Sequence, residues 1–134
     1  MIFVDSHVVI DLVEDGEWTN WSKQALGNAA RPLVANHVVV AEVARAFRSS
    51  DAVMVFLTEL GIAIEALTPA IAYRAGHAHV GYRLAGGRQQ SVLADFLIGA
   101  HAVSLGATLV TRDRKRFATY FPDLTLITPE TDHG

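Results

Sequence analysis

Cysteine is absent from this 134-residue chain, which excludes disulfide staples, thiolate metal sites and cysteine nucleophiles and fits a reducing compartment. Long apolar runs are missing too. Stretches such as Val38 to Ala41 and Ile62 to Ala66 fall far short of the roughly 20 residues that cross a bilayer. The opening Met1-Ile2-Phe3-Val4-Asp5 lacks the basic start of a secretory leader, so the expectation is a soluble, cytoplasmic protein with no membrane association. The six histidines show no ligand spacing and no His-Glu-x-x-His zinc motif, and Gly86-Gly87 lacks the lysine of a phosphate-binding loop. Excess charge is also scarce. A net −3 gives no global attraction to a polyanion, so any contact with nucleic acid must rest on a local basic patch or a metal.

What is present is apolar material. At 51% hydrophobic and 19% charged residues, burial can offset the ordering entropy of one compact domain. No repeat or linker divides it, so a single domain over residues 1–134 is expected, with about 129–134 as a tail. Met1 to Val4 reads as a buried strand ending at Asp5-Ser6, with Ser6 placed to cap a helical turn that Asp15-Gly16 stops. A helix from Trp18 to about Gly27 follows, then a short apolar segment, Leu33 to Ala35. Asn36 suits the N-cap of a helix carrying Val39, Val43, Ala46 and Phe47 on one side. Ala52 to Leu60 reads as a helix stopped by Gly61, and Ile62 to Leu67 as a strand. Thr68-Pro69 marks a helix start, because threonine caps the first amides and proline sits where its missing N–H costs nothing. Ser91 opens an apolar helix to about Leu105, and Thr108 to Thr111 and Leu124 to Ile127 supply the last strands. Short apolar strands alternating with helices predict an α/β fold with a mostly parallel sheet.

In such sheets ligands gather beyond the carboxyl ends of the strands. Asp5 and Asp113 each follow a strand there, and neighbouring helices can bring Glu42 and Asp95 to the same edge. Each acid also has an ordinary structural reading: Asp5 as a helix cap, Glu42 as a surface residue, Asp95 as a first-turn carboxylate, Asp113 as a turn former. Asp95 departs furthest from that reading, since it lies within Val92-Leu93-Ala94-Asp95-Phe96-Leu97-Ile98, where a buried charge needs an arginine or a metal as partner. Several carboxylates in one cleft repel one another unless a cation neutralises them. An oxygen-only set suits Mg2+ or Mn2+.

Four segments carry a resemblance. Phe3-Val4-Asp5-Ser6, Val39-Val40-Ala41-Glu42-Val43, Asp95-Phe96-Leu97-Ile98-Gly99-Ala100-His101-Ala102 and Leu109-Val110-Thr111-Arg112-Asp113 with Phe117 are similar, in order and spacing, to the four acidic motifs of PIN domains. The match runs from residue 2 to about 128, and the length and C-terminal half most resemble the VapC and FitB toxin branch. The resemblance implies a PIN-like (Rossmann-like) three-layer α/β/α sandwich. It further implies an Mg2+- or Mn2+-dependent endoribonuclease that hydrolyses RNA phosphodiesters with a metal-activated water. It implies a toxin of a toxin–antitoxin pair, with RNA as substrate, a cognate antitoxin as partner, and a homodimer. The metal-site and catalytic acids carried over are Asp5, Glu42, Asp95 and Asp113, with Ser6 and Thr111 as supporting hydroxyls. A housekeeping RNA-processing nuclease and a catalytically silent PIN-fold binding module are the alternatives.

Arg112, Arg114, Lys115 and Arg116 surround Asp113 and, with Arg88, are the candidate RNA contacts; a solvated helix start is the bland reading of the same run. Two positions depart from the family pattern. Arg116 stands where many relatives carry a further acid, which leaves a fifth carboxylate without a residue, and His7 replaces a small or hydroxyl-bearing residue.

Overall fold

In the computed structural model, described for residues 1–87 and 92–130, five short strands build one sheet. They are β1 (Ile2–Val4), β2 (Leu33–Ala35), β3 (Ile62–Ile64), β4 (Thr108–Val110) and β5 (Leu126–Ile127), in the spatial order β3-β2-β1-β4-β5. Every ladder is parallel, which sharpens the expected mostly parallel sheet. Such strands must be covered on both faces, and β1 and β2 are buried at every residue. The covering helices are α1 (Ser6–Val13), α2 (Thr19–Asn28), α3 (His37–Val43), α4 (Ser50–Glu59), α5 (Pro69–Leu84), α6 (Val92–Leu105) and α7 (Arg114–Tyr120). The result is the three-layer α/β/α sandwich. Among the described residues no helix is long and apolar enough to cross a membrane.

Local chemistry accounts for the element starts. The Asn36 side chain accepts from the Val39 amide at 3.1 Å, and Thr68 accepts from Ile71 at 3.3 Å with Pro69 in the first turn. Ser6 does not cap α1, contrary to the sequence-based expectation: Asp5 is the cap, its Oδ1 accepting from the Ser6 amide at 2.8 Å. The α3 helix is also shorter than expected. It stops at Val43, a 3-10 turn covers Ala44–Ala46, and Phe47 turns extended to pack on Phe56, ring centroids 5.4 Å apart. β3 ends at Ile64 because its partner β2 is only three residues long. The expected helix start at Ser91 lies outside the described residues, as do residues 131–134 of the expected tail; Pro129, the first residue of that tail, is buried, and Glu130 is exposed.

From β1 the chain steps outward to β2 and β3, then returns through α5 and α6 to β4 on the other side of β1. That reversal opens a crevice at the carboxyl ends of β1 and β4, the usual ligand position in an open parallel sheet. One core of apolar side chains, Phe3, Val4, Val9, Leu33, Leu109 and Phe117 among them, fixes the sheet beneath it. A smaller cluster around Ala75, Phe96 and Ala100, with Tyr82, Tyr120 and Phe121 against it, ties α5, α6 and α7 together. Gly99 permits this packing, since a Cβ there would stand 2.2 Å from a ring carbon of Phe121.

Candidate active site

The parallel register sets Val4 beside Val110, so the residues that follow, Asp5 and Thr111, meet at the crevice. The Asp5 amide donates to the Val110 carbonyl at 3.0 Å, and the Thr111 hydroxyl donates to Asp5 Oδ2 at 2.7 Å. The same hydroxyl oxygen accepts from the Asp113 amide at 3.1 Å. A single buried threonine therefore fixes both strand-end acids. Asp113 in turn caps α7, its Oδ1 accepting from the Arg116 amide at 3.2 Å. The structural and functional readings of Asp5 and Asp113 are thus compatible. One oxygen of each carboxylate holds a helix start; the other accepts from the Thr111 hydroxyl in Asp5 and lies 3.2 Å from Arg116 Nε in Asp113.

Asp5 is buried, and burial pushes its carboxyl above the usual range; the Thr111 hydroxyl, His7 and the Ser6 amide oppose this, while Asp113 adds to it. Glu42, on α3, is also raised, first by desolvation and then by Asp5, against the pull of the Ser6 hydroxyl, His7 and Arg116. Asp95, in the first turn of α6, is pushed up to about 6, chiefly by burial and further by Asp5 and Glu42, although Arg116 lowers it. Through these effects Asp5, Glu42, Asp95 and Asp113, on four separate parts of the chain, share one electrostatic neighbourhood.

The partner that buried Asp95 requires is Arg116. Its guanidinium lies 3.0 Å from Asp95 Oδ2 through one terminal nitrogen and 3.2 Å from Asp113 Oδ2 through Nε. Burial works against this cation, but Asp95 and Asp113 outweigh it and raise its pKa. The basic run is therefore divided. Arg116 is committed to the acids, Arg112 pairs with Asp11 at 3.1 Å, and Arg114 and Lys115 are exposed. Arg88 lies outside the described residues.

Two features escaped the sequence reading. Asp11 is buried in α1, accepts from the Ser22 hydroxyl at 2.8 Å, and anchors Arg112, whose guanidinium lies 5.6 Å from the Trp18 ring centroid. His7, Trp18, Arg112 and Asp113 line a cleft of about 300 Å³. A second cleft, about 350 Å³, runs past Tyr82, Asp113, Lys115, Arg116 and Tyr120, so Asp113 stands between two openings. The other missed feature is a buried link of 3.0 Å between Asn36 Nδ2 and His101 Nδ1, joining the helix that carries Glu42 to the one that carries Asp95. A histidine inside an apolar helix signals an unmet need for a partner, but the partner is 65 positions away. Burial lowers the His101 pKa, favouring the neutral ring that can accept from Asn36.

The donor set suits a hard divalent cation. It consists of carboxylate oxygens alone, three of them on carboxyls that burial raises, Asp5, Glu42 and Asp95, and with Asp113 these are the residues that would hold such an ion. Among the described residues, no three acidic or histidine side chains converge closely enough to ligate one as they stand, and the Arg116 guanidinium lies across two of the four.

Comparison with known proteins places this geometry. Residues 2–121 match the model of the PIN domain family. No curated protein sequence matches the chain. Among solved structures, the fold is similar to a chain of a toxin–antitoxin complex from Klebsiella pneumoniae, with 24% identity, TM-score 0.72, and coverage of 96% of this chain and 98% of that one. It is similar to Mycobacterium tuberculosis VapC20, described as a sarcin–ricin loop cleaving toxin, at 18% identity and TM-score 0.73, covering 96% and 100% of the two chains. VapBC-1 of nontypeable Haemophilus influenzae gives 19% identity and TM-score 0.69, with 96% and 98% covered. With its motifs in register and the family model matched over nearly its whole length, this chain belongs to the PIN domain family.

Proposed function

We propose that this chain is a divalent-metal-dependent endoribonuclease acting as the toxin of a toxin–antitoxin pair. The observation that carries the reading is the gathering of Asp5, Glu42, Asp95 and Asp113 at the sheet reversal, with Asp5, Glu42 and Asp95 all raised chiefly by burial and further by neighbouring acids of the set. Acids kept together at such electrostatic cost are a sign of function rather than of stability.

Asp5, Glu42, Asp95 and Asp113 would hold Mg2+ or Mn2+. The ion, when bound, supplies Lewis-acid activation of water and neutralises charge on the phosphate under attack. The chain's own residues do the rest. Thr111 holds the Asp5 carboxylate in one orientation through its 2.7 Å hydrogen bond, and Ser6 steadies Glu42. Arg114 and Lys115, exposed beside Asp113, meet the RNA backbone as phosphate contacts. Arg112, held by Asp11 and Trp18, presents its fork and the neighbouring ring to a nucleotide in the cleft they share with His7.

Partner proteins belong to the same proposal. Solved relatives of this fold are toxin–antitoxin complexes, and α5 exposes Tyr73 at 74%, Val80 at 54% and Leu84 at 84%. Exposed apolar side chains on one helix are a surface for another chain, and we assign it to the antitoxin and to a second copy of the toxin. The deciding experiment is RNA cleavage by purified protein with Mg2+, Mn2+ or EDTA, beside Asp5→Asn and Asp95→Asn. Cutting by the wild type with metal, lost in EDTA and in both folded variants, supports the reading. Folded wild type that cuts no RNA with either metal refutes it in favour of a silent binding module.

A further inference from the structure

Arg116 reaches two of the four acids from a partly exposed position. Its guanidinium spans Asp95 on α6 and Asp113 at the start of α7, at 3.0 and 3.2 Å, and its own backbone amide donates to the same Asp113 carboxylate at 3.2 Å. Of the four acids, these two are the ones bridged by a cation of the chain itself. The side chain is about one third exposed and emerges from a short, seven-residue helix beside an open cleft. It can therefore leave the acids without disturbing the core. A guanidinium and a divalent ion satisfy the same carboxylate oxygens but cannot share them, because their charges repel at contact distance.

We propose that Arg116 is an internal counter-cation that competes with the divalent ion for Asp95 and Asp113, so that metal loads this half of the site only as the guanidinium swings out. The inference rests on the metal-dependent reading above. In the metal-free protein Arg116 holds α6 and α7 together in a neutralised, closed arrangement. Once displaced, the guanidinium lies at the cleft past Lys115 and Tyr120, where a phosphate of the RNA is the next available anion. Arginine at this position, where an acid would add a ligand, thus lowers metal affinity and makes loading and substrate binding mutually supportive.

The test is Mn2+ titration by calorimetry on the full chain, for wild type, Arg116→Gln and Arg116→Lys, with Arg45→Gln as a charge-matched control. Arg45 pairs with Glu14 on the exposed surface, so its loss changes net charge equally without touching the site. The expected result is Mn2+ binding about tenfold tighter in Arg116→Gln, equivalent to about 1.4 kcal/mol. Arg116→Lys should fall between, since lysine cannot bridge two carboxylates as a fork, and Arg45→Gln should match wild type. Equal or weaker binding by folded Arg116→Gln, or an equal gain in Arg45→Gln, overturns the competition while leaving the nuclease reading intact. Absence of Mn2+ binding in every protein overturns both.

Discussion

Replacing Asp95 with asparagine should make the metal-free protein more stable, although it removes a residue central to the proposed activity. Asp95 has its carboxyl raised from the ordinary 3.8 to about 6, and only 8% of the residue is exposed. A group whose folded pKa lies above its unfolded value contributes its stability at low pH, fully present below 3.8, and loses it as pH rises through about 6. At 1.36 kcal/mol per pKa unit, the interval amounts to about 3 kcal/mol lost at pH 7. The neutral, nearly isosteric amide avoids that loss, so in EDTA at pH 7 Asp95→Asn should gain up to about 3 kcal/mol, or roughly 10 °C in Tm for a domain of this size. The advantage should vanish below about pH 4, where the wild-type carboxyl is itself neutral. Urea unfolding at pH 7 and pH 4 measures both numbers. A variant no more stable than wild type at pH 7, or an advantage that persists unchanged at pH 4, would refute the view that repulsion and desolvation govern this site. Adding Mg2+ should reverse the order, because a ligand bound only by the folded wild type stabilises it by mass action.

Thr111→Val removes the hydroxyl shared by Asp5 and the Asp113 amide; a loss of about 1–3 kcal/mol in urea unfolding and a further rise of the Asp5 pKa, followed by carboxyl NMR, are expected. For His101 the sign is opposite to that of Asp95. Its folded pKa lies below 6.5, so its stability contribution is present above about 6.5 and falls as the medium is acidified below that. His101→Gln should flatten that part of the stability-versus-pH curve relative to wild type, and identical slopes would count against the Asn36 link. Gly99→Ala sets helix propensity, worth about 1 kcal/mol in favour of alanine, against overpacking on Phe121, which typically costs 1–3 kcal/mol. With the new Cβ 2.2 Å from the ring, overpacking should win, and Phe121→Leu in the same chain should recover most of the loss in thermal melts.

The sequence by itself determined the features that depend on a residue and its near neighbours. Apolar runs ending in acid placed Asp5 and Asp113 at strand ends, Thr68-Pro69 and Asn36 marked helix starts, and a charge inside the apolar Val92 to Ile98 segment showed that Asp95 needed a partner. Local chemistry also left choices that only packing resolved. Ser6 and Asp5 were both competent caps, and the sheet edge made Asp5 the one used. Phe47 suited a longer α3 until Phe56 offered a better contact off the helix. The run from Ile62 to Leu67 had strand character throughout, yet ladder hydrogen bonds extend only as far as a partner does. What only the tertiary structure decided is how charges are shared across elements. The basic run around Asp113 reads alike at every arginine in sequence, but the fold hands Arg112 to Asp11, 101 positions away, and Arg116 to Asp95, 21 positions away. Neither assignment has a local signature, because an ion pair is fixed by where two backbones bring long side chains, and that is a property of the sheet order and the helix packing.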